Sequence, residues 1–173
     1  VAVGMFHLLT HAFFKALLFL GAGAVIHSMH HAFHSTHSDL DAQDMRNMGG
    51  LRRFMPLTWA MMVIATLAIT GIWPFAGFFS KDEIFAVVEA TQDEAILILL
   101  GISAFLSALY MARLVILTFF GPPKDLAVIK RTKEADPLIT VPLIILTLLT
   151  FFVGWFALDQ IGDAFGFPGG INN

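Results

Sequence analysis

Long uncharged runs alternate with short polar stretches along this chain. Residues 1–26 carry a single formal charge, Lys15. Residues 27–53 hold five histidines, three acids and three arginines. A run of 27 uncharged residues, 54–80, precedes Lys81, and its segment continues through charged positions to about residue 92. Residues 95–120 contain one charge, Arg113, and end at Gly121, Pro122 and Pro123. A basic stretch reaches Asp136, and 137–158 is again uncharged. About 20 apolar residues cross a bilayer as a helix. Membrane barrel strands would instead need ~10-residue alternating segments, and these runs are apolar all round. The expected fold is an all-α integral membrane protein with about four transmembrane helices, over 1–27, 54–92, 95–120 and 137–158. Polar loops are expected over 28–53 and 121–136, with an outer-side tail over 159–173.

The second helix is expected to be discontinuous. Gly71, Pro74 and Gly77 fall inside it, in the sequence TGIWPFAG, where an unbroken helix is disfavoured. Ser80-Lys81-Asp82-Glu83 then reads as a capping box, with Ser80 at the N-cap and Glu83 three residues on. A break at membrane depth must be shielded by protein or water, because lipid satisfies no backbone group.

Loop charge sets the topology. The first loop carries Arg46, Arg52 and Arg53; the other carries Lys124, Lys130, Arg131 and Lys133. The link at Asp93 and Glu94 has no base. If the broken segment crosses once, as two half-helices, all seven bases share one face. The positive-inside rule makes that face cytoplasmic.

Composition narrows the function. The chain is 57% hydrophobic, and only 13% of it is Asp, Glu, Lys or Arg, about half the usual soluble share. Mean hydropathy is +0.79. Net charge is −3, and no basic stripe marks a nucleic-acid surface. The absence of cysteine excludes disulfides, thiolate zinc and iron–sulfur ligation by this chain. No nucleophile elbow, P-loop, dinucleotide fingerprint or zincin motif is present. The chain starts at Val1 directly in apolar sequence, without a signal-peptide layout, so a piece of a longer membrane protein is expected.

The chemistry lies in a few polar residues at membrane depth. His7, His11 and Lys15 recur at i, i+4 and i+8, one helix face in steps of about 6 Å. Structural pairing would explain the histidines alone. Lys15, however, lies about 10 residues from either end of its span, too deep to snorkel easily. An intramembrane lysine costs several kcal/mol unless it faces a hydrated or paired site. Histidine titrates near neutral pH, which suits proton relay. Lys81 follows the Gly/Pro break, and half-helix ends are where transporters place ion sites. A cation at a helix N-terminus is disfavoured, so Asp82 and Glu83 are expected as its charge partners. Glu89 reads as a solvated charge and Arg113 as a snorkelling or loop-paired one. His27, His30, His31, His34 and His37 have spacings that could hold zinc on a helix, but in a solvated loop without a second shell they are expected to form no metal site.

Three blocks carry a resemblance: HLLTHAFFKALLFL over 7–20, QDMRNMGGL over 43–51 and AGFFSKDEI over 76–84. They closely resemble the L-subunit family of bacterial complex I, the NADH:quinone oxidoreductase, and cover roughly the first half of the chain. Residues 107–113 add a weaker likeness. The resemblance implies an antiporter-like, proton-translocating subunit of the bacterial inner membrane, working beside other membrane-arm subunits. It holds no redox cofactor; NADH, flavin, iron–sulfur clusters and quinone are expected in partner subunits. His7, His11 and Lys15 would line a hydrated central axis, and Lys81 would be the last lysine before the periplasmic exit. The family's first repeat and its long lateral helix are missing here, and Trp73-Pro74 replaces an expected Pro-Pro pair. Two other readings stand beside this one. The first is a subunit of a multi-subunit sodium/proton antiporter or an energy-conserving hydrogenase. The second is a membrane scaffold whose polar residues only join helices.

Overall fold

A computed structural model describes residues 2–164. Among these residues the chain is helical and contains no strand. Helix α1 (Ala2–Ser35) is the central member and packs on α2 (Pro56–Thr70), α3 (Ala76–Ala90), the short α5 (Leu126–Arg131) and α6 (Pro137–Ala164). Helix α4 (Glu94–Val115) leans on α2 and continues through a wider π turn, Ile116–Phe120. Three helical stretches are long and apolar enough to cross a membrane: Val3–Ser35, Glu94–Phe120 and Pro137–Trp155. Pro56–Thr70 is a shorter apolar helix. The chain is a multi-pass membrane protein, and α2 with α3 forms the discontinuous second crossing.

Helix α1 outruns the expected span of 1–27. Its 34 residues reach about 51 Å, well beyond the ~30 Å hydrocarbon core. No proline interrupts it there. Val25, Met29, Ala32 and Phe33 recur at helical spacing, and all are buried against Met48, Leu51, Met55, Val128 and Ile129. His27, His30, His31 and His34 therefore lie on the helix, not in a loop, and only His37 follows it. The segment 121–136 also departs from a plain loop. Asp125 Oδ1 accepts from Ala127 N at 2.8 Å and starts α5, whose Val128 and Ile129 are buried on the end of α1. Helix α6 continues past the expected limit at 158 into the start of the predicted tail. The remainder of that tail lies outside the described residues.

The two basic segments meet at one end of the bundle. Lys124 Nζ donates to Asn47 Oδ1 at 2.7 Å, and the Arg52 guanidinium lies 4.9 Å from the centre of the Phe120 ring. Asp44 starts the turn Met45–Asn47 and pairs with Arg46 at 2.8 Å. The Arg46 guanidinium holds the Asp44 carboxyl below the usual carboxylate range. This arrangement is compatible with a single passage of α2 plus α3, which puts both segments on one side.

Candidate functional site

The break between α2 and α3 builds the site. Gly71 takes φ 82°, a left-handed conformation that glycine adopts without a Cβ penalty. Gly71 N donates to Ala68 O at 3.1 Å and Ile72 N to Leu67 O at 3.0 Å, the paired closure of a Schellman end. The carbonyls left over need donors from protein, since lipid offers none. Ile69 O receives Lys81 Nζ at 2.6 Å. Pro74 O receives Trp155 Nε1 at 3.0 Å, and the Trp155 ring meets Phe79 and Trp73 edge to face. A methyl on Gly77 would overlap the Ala68 carbonyl oxygen, so this position must lack a side chain for the half-helices to pack.

The expected capping box does not form. Pro74 and the extended Phe75 (φ −81°, ψ 156°) precede a helix that starts at Ala76, and Ser80 is therefore interior to α3. Its buried hydroxyl lies 3.0 Å from His7 Nδ1 and 2.9 Å from Thr10 Oγ1. Thr10 Oγ1 also lies 3.0 Å from the His7 carbonyl. Lys81 is likewise displaced from the helix start. It lies in the second turn of α3 and reaches the Ile69 carbonyl near the C-terminus of α2, where the negative end of a helix dipole favours a cation.

Asp82 and Glu83 do not pair with Lys81. Among the described residues the one ion pair within 4.0 Å is Arg46–Asp44. Successive helical residues diverge by about 100°, so the two acids leave the face that Lys81 presents to α2. Asp82 is exposed and Glu83 half-buried.

His7, His11 and Lys81 line one cavity of about 240 Å³ with Phe14, Ile69 and Tyr110, a space with room for several waters. The two imidazole rings are 5.8 Å apart. Lys15 does not enter this cavity. It is exposed, with Nζ 6.0 Å from the Phe19 ring centre, and it lines a neighbouring cavity of about 280 Å³. Ile69 and Tyr110 line both cavities and form the partition between them.

Thr10 and Tyr110 join the site without having been singled out in the sequence, and Ser80 joins it in place of the expected N-cap role. Thr10 stands three residues from His7, on its helix face, and Tyr110 is the only tyrosine. Both signals were readable. The Ile69 carbonyl had none, since backbone groups leave no trace in residue identity. Among the described residues, no three His, Asp or Glu side chains converge as metal ligands.

Residues 1–107 match the family model described as NADH:quinone oxidoreductase/Mrp antiporter, transmembrane. The chain is 40% identical over 184 residues to NADH-quinone oxidoreductase subunit L of Rhodobacter capsulatus, covering 96% of this chain and 24% of that protein. It is 43% identical over 159 residues to NADH-ubiquinone oxidoreductase chain 5 of Dictyostelium discoideum, covering 90% and 22%. It is 52% identical over 119 residues to NAD(P)H-quinone oxidoreductase chain 5 of a Picosynechococcus species, covering 68% and 17%. The chain thus spans a quarter or less of the length of these relatives.

Proposed function

The chain belongs to the NADH:quinone oxidoreductase/Mrp antiporter transmembrane family, and from that premise we propose that it is part of a proton-translocating membrane-arm subunit of NADH:quinone oxidoreductase. Electron transfer is assigned to partner subunits, which hold the NADH site, flavin, iron–sulfur clusters and quinone. This chain contributes no redox group and moves protons. The membrane is the bacterial inner membrane, with the segments around 36–55 and 121–136 on the cytoplasmic side, as loop charge argues.

One observation carries this reading: His7, His11 and Lys81 converge on one cavity at a helix break, inside an otherwise apolar bundle. Intramembrane ionisable groups are expensive and mark ion paths. In this mechanism the imidazoles pass protons through water in the cavity. Lys81 accepts a proton against the Ile69 carbonyl and releases it toward the α3 end of the crossing. Lys15, behind the Ile69–Tyr110 partition, exchanges protons with the cavity when that partition is hydrated.

A second reading is a subunit of a sodium/proton antiporter, favoured by the breadth of the matching family description. Genes flanking this reading frame separate the two. The decisive test of proton transfer is Lys81→Ala in the intact complex, scored as protons moved per NADH oxidised. Normal assembly with pumping lost is the expected result. Normal pumping by assembled complex refutes the role of Lys81. Loss of assembly, with coupling intact in whatever assembles, favours the scaffold.

A further inference from the structure

Helix α2 is held at both ends by ionisable side chains of other segments. Near its C-terminus Lys81 donates to the Ile69 carbonyl. At its N-terminus, 76 or 77 residues away in sequence, the Glu134 carboxylate accepts from Leu57 N at 2.8 Å and from Thr58 N at 3.3 Å, and also bonds the Thr58 hydroxyl. Thr58 is fully buried and Glu134 half-buried. Neither pairing is local, so the fold brings both partners to a short helix that has no side-chain cap of its own. An anion at the positive end and a cation at the negative end both favour the helix dipole.

We propose that Glu134 is a positioning residue for Lys81, acting through α2, which it fixes so that the Ile69 carbonyl meets the Lys81 ammonium. This rests on the proton-transfer role given to Lys81 above. The 15 residues of α2 span about 22 Å, so the helix transmits an axial displacement as a rod. Pro56 stands at its start and Gly71 at its end, so neither flank continues the helix. With glutamine in its place, one amide oxygen accepts where two carboxylate oxygens did, and the negative charge at the helix start is gone. The first turn then frays or shifts toward another acceptor, and the far end moves with it.

The charged surroundings are specific. Glu134 shares a cavity with His27 and His31 of α1, Arg131 of α5, and Lys133 and Asp136 beside it. Lys81 faces His7 and His11 of α1 and Tyr110 of α4. Helix α2 itself and the described side chains of α6 bring no titratable group to either end.

The test uses the intact complex with Glu134→Gln, Glu134→Asp and Thr58→Val, beside Lys81→Ala, with the rate of NADH-driven proton movement followed across pH. Glu134→Gln is expected to slow pumping about fivefold at neutral pH. Pumping should recover as the medium is acidified, because added protons restore the ammonium that misplaced carbonyls hold less well. Glu134→Asp should regain part of the rate. Thr58→Val should show the same pH-dependent loss in smaller measure, and it carries the test if the glutamine variant does not assemble. Wild-type pumping by the assembled variants at every pH, or a loss that is flat with pH, overturns the proposal. If Lys81→Ala still pumps, the reading of Lys81 falls and takes this one with it. If Lys81→Ala is silent while the Glu134 and Thr58 variants behave as wild type, only the role of Glu134 falls.

Discussion

Gly77→Ala tests whether the close approach of the two half-helices holds the lysine in place. The added methyl would enter the Ala68 carbonyl oxygen. Restoring an ordinary carbon–oxygen spacing of about 3.4 Å means parting the two backbones by roughly 1.5 Å. Lys81 Nζ now sits 2.6 Å from Ile69 O, one residue beyond Ala68. The same displacement would carry that pair to roughly 4 Å, outside hydrogen-bonding range. Overpacking costs about 1–3 kcal/mol, and loss of a charge-assisted hydrogen bond adds about 1.5–3 kcal/mol. The side chain of Lys81 can follow part of the way, so the expected destabilisation is about 2–4 kcal/mol. Hydrogen exchange over 68–80, followed by mass spectrometry as the intact complex is heated, would report the local melt. A lower melting temperature for that segment, together with slowed pumping, is the predicted pair. A variant that melts and pumps as wild type would show that α2 and α3 separate without consequence, and the account of the break would be wrong.

Two further substitutions probe the same site. Ser80→Ala removes the hydroxyl between His7 Nδ1 and Thr10 Oγ1; pumping should fall several-fold with assembly unchanged, about 1 kcal/mol for one lost hydrogen bond, and an unaltered rate would leave Ser80 a packing residue. Trp155→Phe keeps the ring contacts but leaves the Pro74 carbonyl without its donor, at about 1–3 kcal/mol for an unsatisfied polar group; faster hydrogen exchange over 72–78, measured by mass spectrometry, is expected, and unchanged exchange would mean another donor takes over.

Residue identity foretold some of this structure and was silent on the rest, for physical reasons. The spans were legible because uncharged runs of more than 20 residues have one low-cost solution in lipid. The break was legible because Gly71 and Pro74 are backbone statements: one permits a left-handed turn, and the other lacks a donor. The ends of α1 and α6 were not, because nothing in a helix-compatible sequence says where the membrane stops. The helix end follows instead from where Met29 and Phe33 find buried partners. The capping box misled for a related reason. A serine followed by a glutamate three residues on is a local signal, and here the tertiary environment engages the serine with His7 and Thr10.

The acids beside Lys81 show how a correct candidate can arrive with the wrong partner. Adjacent charges in sequence suggest an ion pair, yet helix geometry sends neighbours about 100° apart. The partner of Lys81 is a backbone carbonyl exposed by the break. The break therefore has two effects that follow from one another. Ending α2 inside the membrane frees carbonyls that need a cation or a donor, and Lys81, beside a cavity with room for water, answers that of Ile69. A continuous helix would satisfy those carbonyls internally and leave Lys81 in an apolar bundle with no acceptor. A broken helix without the lysine would leave the Ile69 carbonyl without a protein donor. Each feature makes the other tolerable: the carbonyl gains a charged donor, and the lysine gains an acceptor without a carboxylate having to be buried beside it.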